Sequence, residues 1–148
     1  LNLIIKDIDE TNWQAVVALS VAKNQEEFIE SNGQSLLEAA YDVSLNWRPL
    51  ALYDENQLVG FSMIGARNGE SMWLDRLMID VRFQGNGYGG RFIPLLIDYM
   101  KAHYLIKRIY LSVHEENKKI IPYYQRFDFI DSHQYDPENG ERIMYLEV

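Results

Sequence analysis

Cysteine is absent from all 148 residues, which excludes disulfides, thiolate catalysis and zinc or iron–sulfur sites built on sulfur. The absence fits a reducing compartment, and the cytoplasm is the expected location. Histidine is scarce too: His103, His114 and His133 stand apart without ligand spacing, so no metal site is expected. No apolar run approaches the roughly 20 residues of a membrane helix. The start, Leu1-Asn2-Leu3-Ile4-Ile5-Lys6-Asp7, lacks the basic segment that opens an export signal, so neither export nor membrane spanning is expected. Basic residues are in deficit, 14 against 22 acidic, for a net charge of −8. That balance argues against general binding to nucleic acid or acidic membranes and favours cations as partners.

What the chain does contain is apolar and aromatic material, with ten Tyr, six Phe and three Trp and 47% hydrophobic residues, enough for one folded domain with its own core. Leu3–Ile8 reads as a first strand. Thr11 is placed to cap a helix from Asn12 to Ala22, and the polar, acidic stretch from Lys23 to Gly33 reads as irregular, with Gly33 ending a turn. A second helix is expected over Ser35–Leu45. Leu50–Tyr53 and Leu58–Ile64 form a hairpin across Asp54–Gln57, Arg67–Glu70 makes the next turn, and Met72–Ile79 is a further strand. The spacing of Phe92, Ile93, Leu96, Ile97 and Met100 predicts a helix over Gly89–Tyr104, with Pro94 tolerated in its first turns. Arg108–Val113 is then a strand parallel to Met72–Ile79, reached through that helix. A short helix over Asn117–Phe127, a turn at Asp136–Gly140 and a last strand over Arg142–Glu147 complete the chain.

The densest local signal is Gln84-Gly85-Asn86-Gly87-Tyr88-Gly89-Gly90, four glycines in six residues between a strand and a helix. Glycine gives positive φ and close backbone approach. Successive free N–H groups opening into a helix N-terminus make a concave anion site, with Arg82 and Arg91 as nearby basic side chains. The run also satisfies G-x-G-x-x-G, but a dinucleotide site fails on context. The loop follows several meander strands, and Leu105–Val113 carries no carboxylate for a ribose. A triphosphate P-loop fails because Arg91-Phe92 stands where Lys and Ser/Thr are required.

The order meander, Gln84-x-x-Gly87-x-Gly89, helix, strand, Asn117-x-x-Ile120-x-x-x-Tyr124-x-x-x-x-Phe129 resembles the GNAT superfamily of acyl-CoA N-acyltransferases over nearly the whole chain. The acidic segment after the first helix, with Trp73-Leu74-Asp75-Arg76-Leu77-Met78-Ile79-Asp80, looks most like its diamine and polyamine branch. The resemblance implies an α/β domain of the α+β type: a mixed, mostly antiparallel sheet of six or seven strands, splayed between Met72–Ile79 and Arg108–Val113, with about four helices. It implies acetyl transfer from acetyl-CoA to a primary amine such as spermine or spermidine, by direct attack in a ternary complex. The alternatives are an acetyltransferase for another amine and a non-catalytic CoA-binding module. A homodimer is also implied, and Arg142–Glu147 is read as a sheet edge where a second copy could pair.

Carried over residue by residue, Gln84, Gly85, Asn86, Gly87, Tyr88, Gly89 and Gly90 would cradle the pyrophosphate, while Leu77, Met78 and Ile79 line the pantetheine arm. Asn117 would touch that arm near the sulfur or, alternatively, cap a helix. Tyr124 matches the general acid that protonates the departing thiolate, since a phenol of pKa about 10 keeps its proton at neutral pH. One departure is Asp128 before Phe129, where the family commonly has Gly. A base is also required, because an alkylammonium of pKa about 10 must lose a proton before it attacks. Asp75 is the candidate, acting directly or through water, or else simply paired with Arg76 or Arg82. The register places the family's usual glutamate nearer Trp73. Glu26, Glu27 and Glu30 read either as a solvated run or as carboxylates steering a polyamine, and Trp73 and Asp75 join them on the acceptor side.

Overall fold

Seven strands and four helices alternate along the computed structural model, which describes residues 1–148, the side chains of Glu27 and Phe28 excepted. The strands are Leu3–Asp7 (β1), Arg48–Asp54 (β2), Gln57–Asn68 (β3), Ser71–Ile79 (β4), Arg108–Val113 (β5), Ile130–Tyr135 (β6) and Arg142–Glu147 (β7). They form one sheet in the order β1-β2-β3-β4-β5-β7-β6. Every neighbouring pair is antiparallel except β4 and β5, which run parallel on either side of the longest helix. The helices are Trp13–Ala18 (α1), Asn32–Tyr41 (α2), Tyr88–His103 (α3) and Ile120–Gln125 (α4). This is the expected mixed, mostly antiparallel α+β sheet. Because β7 lies between β5 and β6, however, it has no free edge for a second copy, and β1 and β6 are the edge strands instead.

Each face of the sheet has its own core. Phe92, Leu96 and Met100 project from α3 onto Leu50, Leu52, Ile64, Leu74, Ile109 and Met144, all fully or almost fully buried. On the opposite face Val16 and Leu19 cover Ala51, Phe61, Met63 and Met78. A Leu or Phe sealed in either layer stabilises the fold by about 1.5–3 kcal/mol relative to exposure.

Several helix boundaries differ from expectation, α2 ending at Tyr41 before Leu45 and α4 spanning only Ile120–Gln125 of the expected Asn117–Phe127. The first helix stops at Ala18 instead of Ala22, because Asp80 Oδ1 accepts the Ser20 N–H at 2.9 Å and Ser20 O accepts the Val81 N–H at 2.7 Å, drawing the chain out straight. Thr11 does not cap it: its hydroxyl donates to Asp9 Oδ1, and Asn12 stands at the cap position. The segment 23–28, expected to be irregular, forms a turn of 3-10 helix. The second helix begins earlier, at Asn32, where the Ser31 hydroxyl accepts the Gln34 N–H at 3.1 Å. Gly33 therefore lies inside its first turn and does not end the preceding one.

One irregularity of the sheet positions the site. Met63 faces Arg76 and Ile64 faces Leu74, so Asp75 is an extra residue with no partner in β3, a β-bulge. Side chains alternate across a strand with period two, and one extra residue inverts the phase. Leu74 thus packs with α3 on one face, Met78 packs with α1 on the other, and Leu77 and Ile79 return to the first.

Candidate active site

β4 and β5 pair only through Ser71↔Arg108, Met72↔Ile109 and Trp73↔Tyr110. The Trp73 and Tyr110 rings stack at 5.4 Å across the last of these pairs and close the seam. Beyond it the strands part, leaving a cleft of about 1770 Å³. Pockets for a single drug-sized ligand span about 300–1,000 Å³, so this groove has room for two substrates together.

The glycine loop forms one end. Gly85 and Gly87 adopt φ of 83° and 80°, and nothing lies within 4 Å of a Cβ built on either. Their glycines serve the backbone conformation and leave the approach open. Gly87 stands at the N-cap of α3 with no side chain capping it, so the first-turn N–H groups point outward for an anion. The fold fastens this loop at three points. Asp80, buried, accepts from Ser20 N, Arg82 N and Arg82 Nε. Gln84 Nε2 donates at 2.9 Å to both Ile79 O and Gln25 Oε1. The Tyr88 hydroxyl donates to Asp54 at 2.6 Å. Asn86 donates its side-chain amide to Phe83 O and, unlike Gln84, Gly85 and Gly87–Gly90, does not line the cleft. Arg82 is turned to Asp80 and a separate small cavity, so Arg126 of α4 supplies the basic side chain beside the loop.

Along the wall, Asp80 N donates to Val59 O, which makes Ile79 and Gly60 a non-bonded pair. The backbone groups of Leu77 and Ile79 therefore face the gap, whereas those of Met78 are spent on Phe61 of β3. Met78 also directs its sulfur to Asn32 Nδ2 on the α2 side, so it borders the cleft without offering backbone to an extended ligand. The Ile79 carbonyl already receives Gln84, which leaves its N–H.

On the β5 side, Asn117 sits in the turn before α4, its N–H donating to His114 O and its O accepting from Ile120 N. The cap of α4 is Lys119, with no side-chain cap bond, so the capping alternative for Asn117 is excluded and its side chain borders the cleft. Tyr123 and Tyr124 both line the cleft, their rings edge-on at 5.3 Å. Tyr124 is the more enclosed, against Phe129 at 5.8 Å, and its hydroxyl has no hydrogen-bond partner among the described residues. Burial pushes the Tyr124 phenol well above its ordinary value, with a smaller push from Tyr123. It is a neutral donor at any physiological pH.

The other end is acidic. Among the described residues, Glu26, Glu30, Glu38, Asp42 and Asp75 line it from the β4 side, and Asp136, Glu138 and Glu141 from the β6–β7 turn, eight carboxylates with the Arg76 guanidinium among them. Glu26 and Glu30 stand where expected; the side chain of Glu27 lies outside the described residues. Glu38 and Asp42 were not singled out from sequence, although four residues apart they share one side of α2 and its C-cap. The Asp136-Pro137-Glu138 turn reads in sequence as a plain connection, and nothing local marks it as part of a site.

Asp75, displaced by the bulge, lies four-fifths buried beside Arg76. Burial is the main cause that raises its carboxyl, to about 6; Arg76 opposes it and Glu38, Glu141 and Glu30 add to it. Arg76 pairs in turn with Glu30 at 3.1 Å and Glu38 at 3.2 Å, and Arg82 has no part in this cluster.

Residues 13–129 match the model of the acetyltransferase (GNAT) family. The chain belongs to the GNAT family. A spermine/spermidine N(1)-acetyltransferase of Bacillus subtilis (strain 168) is 38% identical to it over 156 aligned residues, covering all of both chains. A probable spermine N(1)-acetyltransferase of Bacillus subtilis subsp. natto is likewise 38% identical over the full length of both. Among solved structures, a spermidine N-acetyltransferase from Vibrio cholerae in complex with CoA and spermine superposes with a TM-score of 0.79 at 20% identity, covering 99% of this chain and 95% of that one. The GNAT fold is thus shared over nearly the whole chain, and the chain is an acetyltransferase of that family.

Proposed function

We propose that this GNAT enzyme acetylates a primary amine of a di- or polyamine, of the spermine and spermidine class, with acetyl-CoA as acetyl donor. The carrying observation is the joining, in one groove, of an uncapped glycine loop and an end lined by eight carboxylates. Full-length similarity to a spermine/spermidine N(1)-acetyltransferase supports the same acceptor. A flexible polycation enters such an end with its remote ammonium groups neutralised, while the loop amides hold phosphate oxygens at the other.

Transfer proceeds by direct attack in the ternary complex. Asp75, directly or through one water, takes a proton from the ammonium, and its raised carboxyl suits a base better than an ordinary aspartate. The freed amine forms the C–N bond at the acetyl carbon as the C–S bond breaks. Tyr124 gives its phenolic proton to the departing sulfur, and the second proton on nitrogen restores the phenol. Asp75 releases the first proton to solvent. Asn117 and the N–H groups of Leu77 and Ile79 hold the extended arm of the donor along β4.

A kinetic panel of spermine, spermidine, putrescine and simple monoamines tests the acceptor. Polyamines should show the highest kcat/KM; a preference for monoamines or amino acids would redirect the reading, and tight CoA binding with no turnover would leave only a binding module. Tyr124→Phe should lower kcat by about 10²–10⁴-fold with CoA affinity unchanged. An unaltered kcat would remove Tyr124 from the chemistry.

A further inference from the structure

We infer that Arg76 is a positioning residue of the acceptor site: its guanidinium is a built-in counter-ion that keeps Asp75 ionised in the cleft wall and ties that wall to the acidic segment around α2. The inference rests on the reading of Asp75 as the base. Arg76 follows the bulge, and its side chain is turned to the α2 face, only 17% exposed. Nη1 pairs with Asp75, while Nη2 lies 3.1 Å from Glu30 and 3.2 Å from Glu38. One planar cation therefore meets three carboxylates from three segments: the strand, the stretch before α2, and α2 itself. The match is to guanidinium, whose fork serves several acceptors where an ammonium is a point charge. Its Nε is buried with no partner among the described residues, a desolvation cost that pure packing would not retain.

The charges around Asp75 define what Arg76 does. Glu38 from α2, Glu30 before it and Glu141 from the β6–β7 turn all disfavour a further negative charge, and Arg76 opposes them. Four carboxylates, Asp75 included, against one guanidinium leave the cluster negative, so it still attracts an ammonium. Without Arg76 the Asp75 carboxyl would be driven further up, and a protonated Asp75 accepts nothing. A purely structural tie would leave the titration of the base where it is.

The test is the pH profile of kcat/KM with spermidine on the full chain, with CoA binding and thermal melting recorded for each variant. Arg76→Gln should move the acidic limb up by about one pH unit, since an opposite charge in contact shifts a carboxyl by about 1–3 units. Arg76→Lys should restore most of that shift. Glu38→Gln, on the rim of α2 and safe for folding, should move the limb down. Asp75→Asn should abolish the limb. A limb that persists in Asp75→Asn means that Asp75 is not the base, and both readings fall. A limb lost in Asp75→Asn but unmoved by Arg76→Gln and Glu38→Gln leaves the base standing and overturns the role of Arg76. Should Arg76→Gln fail to bind CoA or to melt cooperatively, Arg76→Met, which keeps the apolar stem without the charge, takes its place, and an unmoved limb there overturns the role of Arg76.

Discussion

Asp128 turns the chain out of the segment after α4 with φ of 69°, a conformation that costs a residue with a Cβ about 1–2 kcal/mol. Its amide closes the turn on Gln125 O at 3.0 Å, and the next residue, Phe129, is the buried ring against Tyr124. That accounts for the glycine common at this point of the family's pattern. Part of the gain from glycine is lost to the unfolded chain. Asp128→Gly should therefore raise stability by about 0.5–1 kcal/mol, measured by urea unfolding, and leave kcat unaltered. A destabilised variant would mean that the carboxylate does more than turn a corner. Tyr124 and Asn117 were readable from sequence through the family pattern they share with Ile120 and Phe129, and both line the cleft. Arg76 was not. Neighbours in a regular strand point to opposite faces, and only the bulge at Asp75 lets the two side chains meet.

Among the elements, every strand but β6 was legible to within a few residues because turn formers bracket them, and β5 and β7 fell on their expected bounds. The helices around the acceptor end were not, since Ser20 pairs with Asp80 and Val81, sixty residues distant in sequence. No local pattern carries such a contact. The same long-range assembly brings the β6–β7 turn to the cleft, so the proposed acceptor end is lined by carboxylates from both sides of the seam. Glu26→Gln together with Glu138→Gln should raise KM for spermine several-fold more than for a monoamine, with kcat held within about twofold. Equal effects on both acceptors would assign these carboxylates to general surface charge.

For the molecule as a whole, the net charge of −8 and the titration of a few carboxyls set opposing trends with pH. Asp80 and Asp131 are held below the ordinary aspartate range: burial alone would raise them, but hydrogen bonds to Ser20 and Arg82, and to Arg142 and His133, prevail. Their folded pKa values lie below the unfolded one, so their stabilisation is present above about pH 4 and is lost as pH falls through the folded values. Asp75 has the opposite sign. Its folded value of about 6 exceeds the unfolded one, so protonation on going below pH 6 favours the native state. Relief of self-repulsion as the net charge falls acts in the same direction. Thermal melts should show Tm rising from pH 7 to about 5 and falling below about 4. Asp75→Asn should flatten the rise while sparing the acid collapse; an undiminished rise would assign it to net charge alone.

The short seam between β4 and β5 also divides the sheet into two hydrogen-bonded halves that share three residue pairs. In amide hydrogen exchange, β4 beyond Trp73 should therefore show a two-residue alternation, with the Met78 amide slow and those of Leu77 and Ile79 fast in the free protein. Saturation with CoA should slow the latter two and leave Met78 as it was. Uniform protection along β4 before any ligand is added would contradict an open seam.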